Sequence, residues 1–175
     1  MSGSSADTES LQFVRVRQDD RLARTVLSEL AIEYSHRYGG TSCDWFAKLT
    51  KHPADRFADP DGAFLVVLAG GVPVAGGAYQ RVDTQTAELK RIWTSSAHRR
   101  RGLARRVLAE LESDIAERGY RRIVLTTGPR QPEAHGLYLE TDYVPLFDRA
   151  LEADEIGLHG FEKAIQPGYR LATSA

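Results

Sequence analysis

The chain has 175 residues and a formal net charge of -1. That is long enough for one domain with a full-sized core and too balanced in charge for a general nucleic-acid binder. Cys43 is the only cysteine and asparagine is absent, so intrachain disulfides and N-glycosylation are excluded and a reducing, cytoplasmic setting fits.

Residues 1–10 are small and polar and read as a disordered leader, not a signal peptide. No apolar run is long enough to cross a membrane. Gln12–Arg17 alternates apolar and charged residues and predicts a first strand. Asp19 or Asp20 can cap a helix with Leu22, Val26, Leu27, Leu30 and Ile32 on one stripe, ended by Gly39-Gly40. Cys43–Thr50 predicts a second, short helix, and Pro53, Pro60 and Gly62 mark a loop.

Ala63–Ala69 is a buried strand, Gly70-Gly71 a turn, and Val72–Arg81 the returning strand, with Pro73 at its start where the ladder suffers least. After a turn at Asp83–Gln85, Thr86–Thr94 is a fourth strand. A helix follows with Leu103, Val107, Leu108, Leu111 and Ile115 at helical spacing, stopped by Gly119. Ile123–Thr126 is a short buried strand, Pro132 opens a helix running to about Thr141, and Tyr143–Leu146 and Gly160–Ile165 are late strands. The intervening Asp148–Glu155 is acidic and less regular. Hairpin-connected strands are antiparallel, whereas the strand-helix-strand step through residues 86–126 is a parallel crossover. The expected fold is therefore α/β (α+β): one mixed, mostly antiparallel sheet covered by helices. With no internal repeat or linker, residues 11–170 form one domain and 171–175 a tail.

The most informative segment is Arg99-Arg100-Arg101-Gly102-Leu103-Ala104, at the join between the fourth strand and the long helix. A helix start carries unpaired N–H groups and the positive dipole end. It is a natural seat for a pyrophosphate. Gly102 lets a ligand approach the backbone, and the arginines add donors for phosphate oxygens.

Taken with its flanks, this segment resembles the acetyl-CoA motif of the GCN5-related N-acetyltransferase (GNAT) superfamily, Gln/Arg-x-x-Gly-x-Gly/Ala. The preceding strand Ala87–Thr94, the stretch from Ala134 through Tyr138 to Tyr143, and Phe161-Glu162-Lys163 are similar to further family elements, so the resemblance covers residues 12–165. It departs from the family at Asp142, where glycine is usual, and at Gln131, where many members have an asparagine that contacts pantetheine. Aspartate tolerates the left-handed helix end better than most residues. The resemblance implies a twisted sheet of about seven strands, splayed between strands 4 and 5 and flanked by about four helices.

It also implies an acetyl-CoA-dependent N-acetyltransferase acting on a primary amine by direct attack in a ternary complex. In that scheme Arg99, Arg100, Arg101, Gly102, Leu103 and Ala104 hold the pyrophosphate. Arg105 or Arg106 reaches the 3'-phosphate, and Gln131 stands near the pantetheine arm. Ile92, Trp93 and Thr94 pair with pantetheine through their main chain, and the Ile92 N–H points at the developing oxyanion. Such a donor is worth roughly 3 kcal/mol in other acyl transfers. Tyr138 is the expected acid, because a phenol of pKa about 10 is neutral at pH 7 and can donate to a thiolate. Glu88, eleven positions before Arg99, matches a general base of the family. On their own, Tyr138 also fits a core tyrosine and Glu88 a carboxylate pairing with Lys90 or Arg91.

The remaining signals are thin. The five histidines show no metal-ligand spacing, and no metal is expected. His98 is expected to face solvent, and Cys43 to be a buried or idle thiol. Tyr34, Tyr38, Trp45 and Phe46 either wall the acceptor site or simply pack. Asp148, Glu152, Asp154 and Glu155 either attract a cationic amine or form a solvated loop. A non-catalytic acyl-CoA-binding or regulatory module is the alternative function. A nucleic-acid patch on the arginine run lacks a second basic face. Neither nucleic acid nor membrane is an expected partner, and a homodimer is compatible with the resemblance.

Overall fold

The computed structural model describes residues 10–168. The expected leader, apart from Ser10, and the tail at 171–175 lie outside these residues. Among the described residues, seven strands form one sheet in the order β1-β2-β3-β4-β5-β7-β6. The strands are β1 Leu11–Val16, β2 Ala63–Ala69, β3 Val72–Arg81, β4 Thr86–Thr94, β5 Arg122–Thr127, β6 Val144–Pro145 and β7 His159–Ala164. Only β4 and β5 run parallel, through the predicted crossover. The helices are α1 Arg21–Tyr38, α2 Ser42–Thr50, α3 Leu103–Glu117, α4 Pro132–Glu140 and α5 Ala153–Ile156.

Two-residue alternation along β2 sorts its side chains into two cores. Ala63, Leu65, Val67 and Ala69 join Val107, Leu108, Leu111 and Ile115 of α3. Phe64, Val66 and Leu68 face Val26, Leu27 and Leu30 of α1, with Leu49 of α2 and Phe57. Asp20 caps α1 by accepting from the Leu22 N–H at 2.8 Å, a contact worth about 1 kcal/mol. Gly39 ends the helix at φ +78°.

The expected boundaries need few corrections. Ile32 is 42% exposed; Ala31, four residues after Leu27, takes the buried place instead. The strand predicted over Tyr143–Leu146 shrinks to Val144–Pro145. Its first residue is still part of the α4 terminus, where Tyr143 N–H donates to Tyr138 O. Asp142 adopts φ +68°, the left-handed end that its side chain tolerates. The acidic Asp148–Glu155 stretch contains the start of α5, whose Glu152 and Glu155 form a reciprocal capping box.

Two features of β4 build the site. Its pairing with β5 covers only Thr86↔Arg122, Ala87↔Ile123 and Glu88↔Val124. Beyond Glu88 the two strands part, and the β5-facing main chain of residues 89–94 has no strand partner among the described residues. A one-residue bulge also interrupts its pairing with β3, between Ala78↔Lys90 and Gly76↔Trp93. Arg91 is the extra residue, at φ +63°.

Candidate active site

The arginine loop is built as a receptor for anions. Gly102 occupies the N-cap of α3 at φ +75° and ψ +9°, with no side-chain cap. The first intrahelical bond reaches it from Arg106 N–H, so the N–H groups of Leu103, Ala104 and Arg105 are left for a ligand. A Cβ at Gly102 would meet nothing within 4 Å. Arg100 is also left-handed, at φ +60°. Arg100 and Arg101 are exposed and make no ion pair among the described residues. Arg99 instead lies 3.3 Å from Glu33 of α1. Arg105 pairs with Glu140, and Arg106 is drawn away to stack 4.7 Å from the Phe13 ring centroid. Contrary to expectation, His98 is half-buried; its Nδ1, like Thr94 Oγ1 nearby in sequence, is shielded and has no hydrogen-bond partner among the described residues.

Ile92 follows the bulge and turns toward α3, beside Gly77, Val107 and Leu111. Trp93 goes to the opposite core, against α1 and α2. Glu88 sits on the last β4–β5 pair, where the splay begins. It accepts from Gln80 Nε2 at 2.8 Å and pairs with Lys90 at 3.0 Å. These bonds fix the carboxylate's direction on the α1/α2 side of a central strand.

Tyr138 is buried on α4, with its ring 5.5 Å from those of Tyr143 and Phe161. Burial pushes its phenol above the ordinary range, reinforced by Tyr34. It therefore stays protonated at neutral pH. Tyr34 is brought here by the end of α1, which is clamped onto the β5–α4 loop. There Arg37 donates to Arg130 O at 2.6 Å, and Arg130 N–H donates to the Tyr38 hydroxyl at 3.3 Å. Tyr34, Tyr38 and Trp45 form one ring cluster, with Tyr34 and Trp45 5.4 Å apart. Phe46 stands apart under Arg24.

Gln131 is held at both ends. Its carbonyl accepts from Thr127 Oγ1 at 2.8 Å and Gly128 N–H at 3.1 Å. Its side chain also bonds Tyr34, whose own phenol is pushed up mainly by burial. It thus ties α1 to the loop before α4, besides standing where a pantetheine contact was expected. Cys43 is exposed, contrary to the buried reading.

Residues 16–143 match the Acetyltransferase (GNAT) family. The uncharacterized N-acetyltransferase YsnE of Bacillus subtilis is 32% identical over 74 residues, a match covering 42% of this chain and about half, 49%, of the relative. The PaiA N-acetyltransferase of Thermoplasma acidophilum, crystallised with coenzyme A, superposes with a TM-score of 0.69 at 16% identity, over 89% of this chain and 99% of that one. An acetyltransferase of Streptococcus agalactiae gives 0.68 at 17% identity, over 89% and 98%. At such identities the two structures establish a shared fold. The chain belongs to the GNAT acetyltransferase family.

Proposed function

We propose that residues 11–170 form a single N-acetyltransferase domain that moves the acetyl group of acetyl-CoA to a primary amine, directly, in a ternary complex. The observation that carries this reading is the uncapped start of α3, flanked by exposed Arg100 and Arg101, one short loop from the splayed edge of β4. Open space at Gly102 and the unpartnered Thr94 Oγ1 and His98 Nδ1 fit a polyanionic, hydrogen-bonding ligand. Acetyl-CoA supplies the activated acyl group as a thioester.

The chain's own residues supply the rest. The Leu103, Ala104 and Arg105 amides and the Arg100 and Arg101 guanidiniums bind the diphosphate. The free edge of Ile92, Trp93 and Thr94 takes the pantetheine as an added strand. The Ile92 N–H donates to the carbonyl oxygen as charge develops there. Glu88 receives the ammonium proton, and Tyr138, kept neutral by burial, returns one to the departing sulfur.

The test is coenzyme A release from acetyl-CoA across a panel of amines, with Glu88→Gln as control. Release that depends on amine and falls about 100-fold in the variant supports the scheme. Saturable coenzyme A binding with no release for any amine would instead support a non-catalytic module.

A further inference from the structure

We propose that the acceptor is an amine that also bears a carboxylate, as a free amino acid does, and that Arg91 binds that carboxylate. This rests on the acetyltransfer reading and names its substrate class.

In a regular strand, neighbours point to opposite faces. Lys90 is paired with Ala78, whose side chain faces the α1/α2 core. The extra residue in β4 turns Arg91 to the same face, where its Nη2 donates to Leu49 O at the end of α2 at 2.8 Å. The guanidinium also lies 5.8 Å from the Phe57 ring centroid. Two successive cations thus share one wall.

Among the described residues, only one carboxylate answers them. Glu88 is engaged by Lys90 and Gln80. Arg91 makes no ion pair among the described residues, and its Nε is shielded with no hydrogen-bond partner. A mostly desolvated guanidinium satisfied by one carbonyl is costly unless an anion completes it. Burial lowers the Arg91 pKa, and burial followed by the same cation lowers that of His52, so the imidazole is held neutral and brings no charge to Arg91. Tyr34 and Glu88 are the groups whose fields reach Arg91. The orphaned donor therefore shares its surroundings with the proposed base. A planar carboxylate matches the guanidinium fork, and an amine on the same small molecule can then lie toward Glu88. A polyamine would meet an unmatched positive charge instead.

The experiment compares matched acceptors, amino acids against their amides, with polyamines and lysine peptides, by coenzyme A release. An acid-over-amide preference of at least about 100-fold in kcat/KM is expected. Arg91→Gln should erase the preference through acceptor KM, with acetyl-CoA KM within twofold of wild type. Arg91→Lys, which keeps the charge but loses the fork, should fall between. Thermal shift of the coenzyme A-saturated protein by amino acids gives a readout independent of turnover, and the wild-type acid–amide comparison needs no variant. Stabilisation by acids, lost in Arg91→Gln, without turnover would sink the transferase reading and keep Arg91 as a carboxylate-binding residue. Equal use of acids and amides, or turnover of polyamines alone, would overturn the Arg91 assignment and leave acetyl transfer standing.

Discussion

Gly102→Asp separates ligand binding from folding. Gly102 is left-handed at φ +75°, and an added Cβ meets nothing within 4 Å. A side chain there therefore costs about 1 kcal/mol of left-handed strain and little packing. Asp and Asn both tolerate this region, so Gly102→Asn is a control of matched shape without the charge. The new carboxylate would stand at the three free amides of α3, where the diphosphate is proposed to bind. Each charge pair at about 4 Å is worth about 1 kcal/mol in water and about 4 kcal/mol at an effective dielectric of 20. An intermediate penalty of about 1.5–3 kcal/mol weakens coenzyme A about 10- to 100-fold relative to the Asn variant. Isothermal calorimetry at fixed salt measures both, and raising the salt should narrow the gap. Equal affinities for Asp and Asn, with both proteins folded, would refute the diphosphate seat.

Other substitutions probe the remaining parts. Tyr138→Phe should lower turnover about 100-fold with coenzyme A affinity within twofold; unchanged turnover removes Tyr138 from proton transfer. Gly77→Ala places a Cβ 2.6 Å from Ile92 Cδ1 and 3.0 Å from Leu111 and Val107. Overpacking of this kind costs about 1–3 kcal/mol, a Tm loss of about 2–4 °C per kcal/mol, and an unchanged Tm would contradict the close fit. His135 has a lowered pKa, chiefly from burial and then from His159, whose ring lies 4.3 Å away. The unfolded chain takes its proton first, near pH 6.5. The His135 contribution is thus complete above that pH and is lost as pH falls toward the folded value. Urea midpoints should drop from pH 7.5 to 5.5, less steeply in His135→Gln; a flat wild-type profile would contradict the burial.

Much of the frame was legible because turns punctuate it. Gly70-Gly71 and Asp83–Gln85 bracket β3 and β4, whose limits agree with the structure residue for residue. The anion loop was legible too, since a strand, a glycine and an apolar helix stripe are local signals. The bulge was not. Lys90-Arg91 reads as ordinary strand sequence, and only pairing with β3 reveals the extra residue. Tyr34 was legible as an aromatic, but its meeting with Gln131 and Tyr138 depends on the α1 clamp near residue 130. Contacts of that sequence separation leave no periodicity to read. Ile32 shows the converse error, where apolar character suggested burial and helix geometry placed the residue outside.

The insertion at Arg91 has an evolutionary corollary. Because strand side chains repeat every second position, removing Arg91 would restore plain alternation, with Lys90 and Trp93 still toward α1 and α2 and Ile92 still toward α3. Relatives built on this blueprint can therefore lose this one residue, and the guanidinium it carries, without exchanging what the two cores receive from β4.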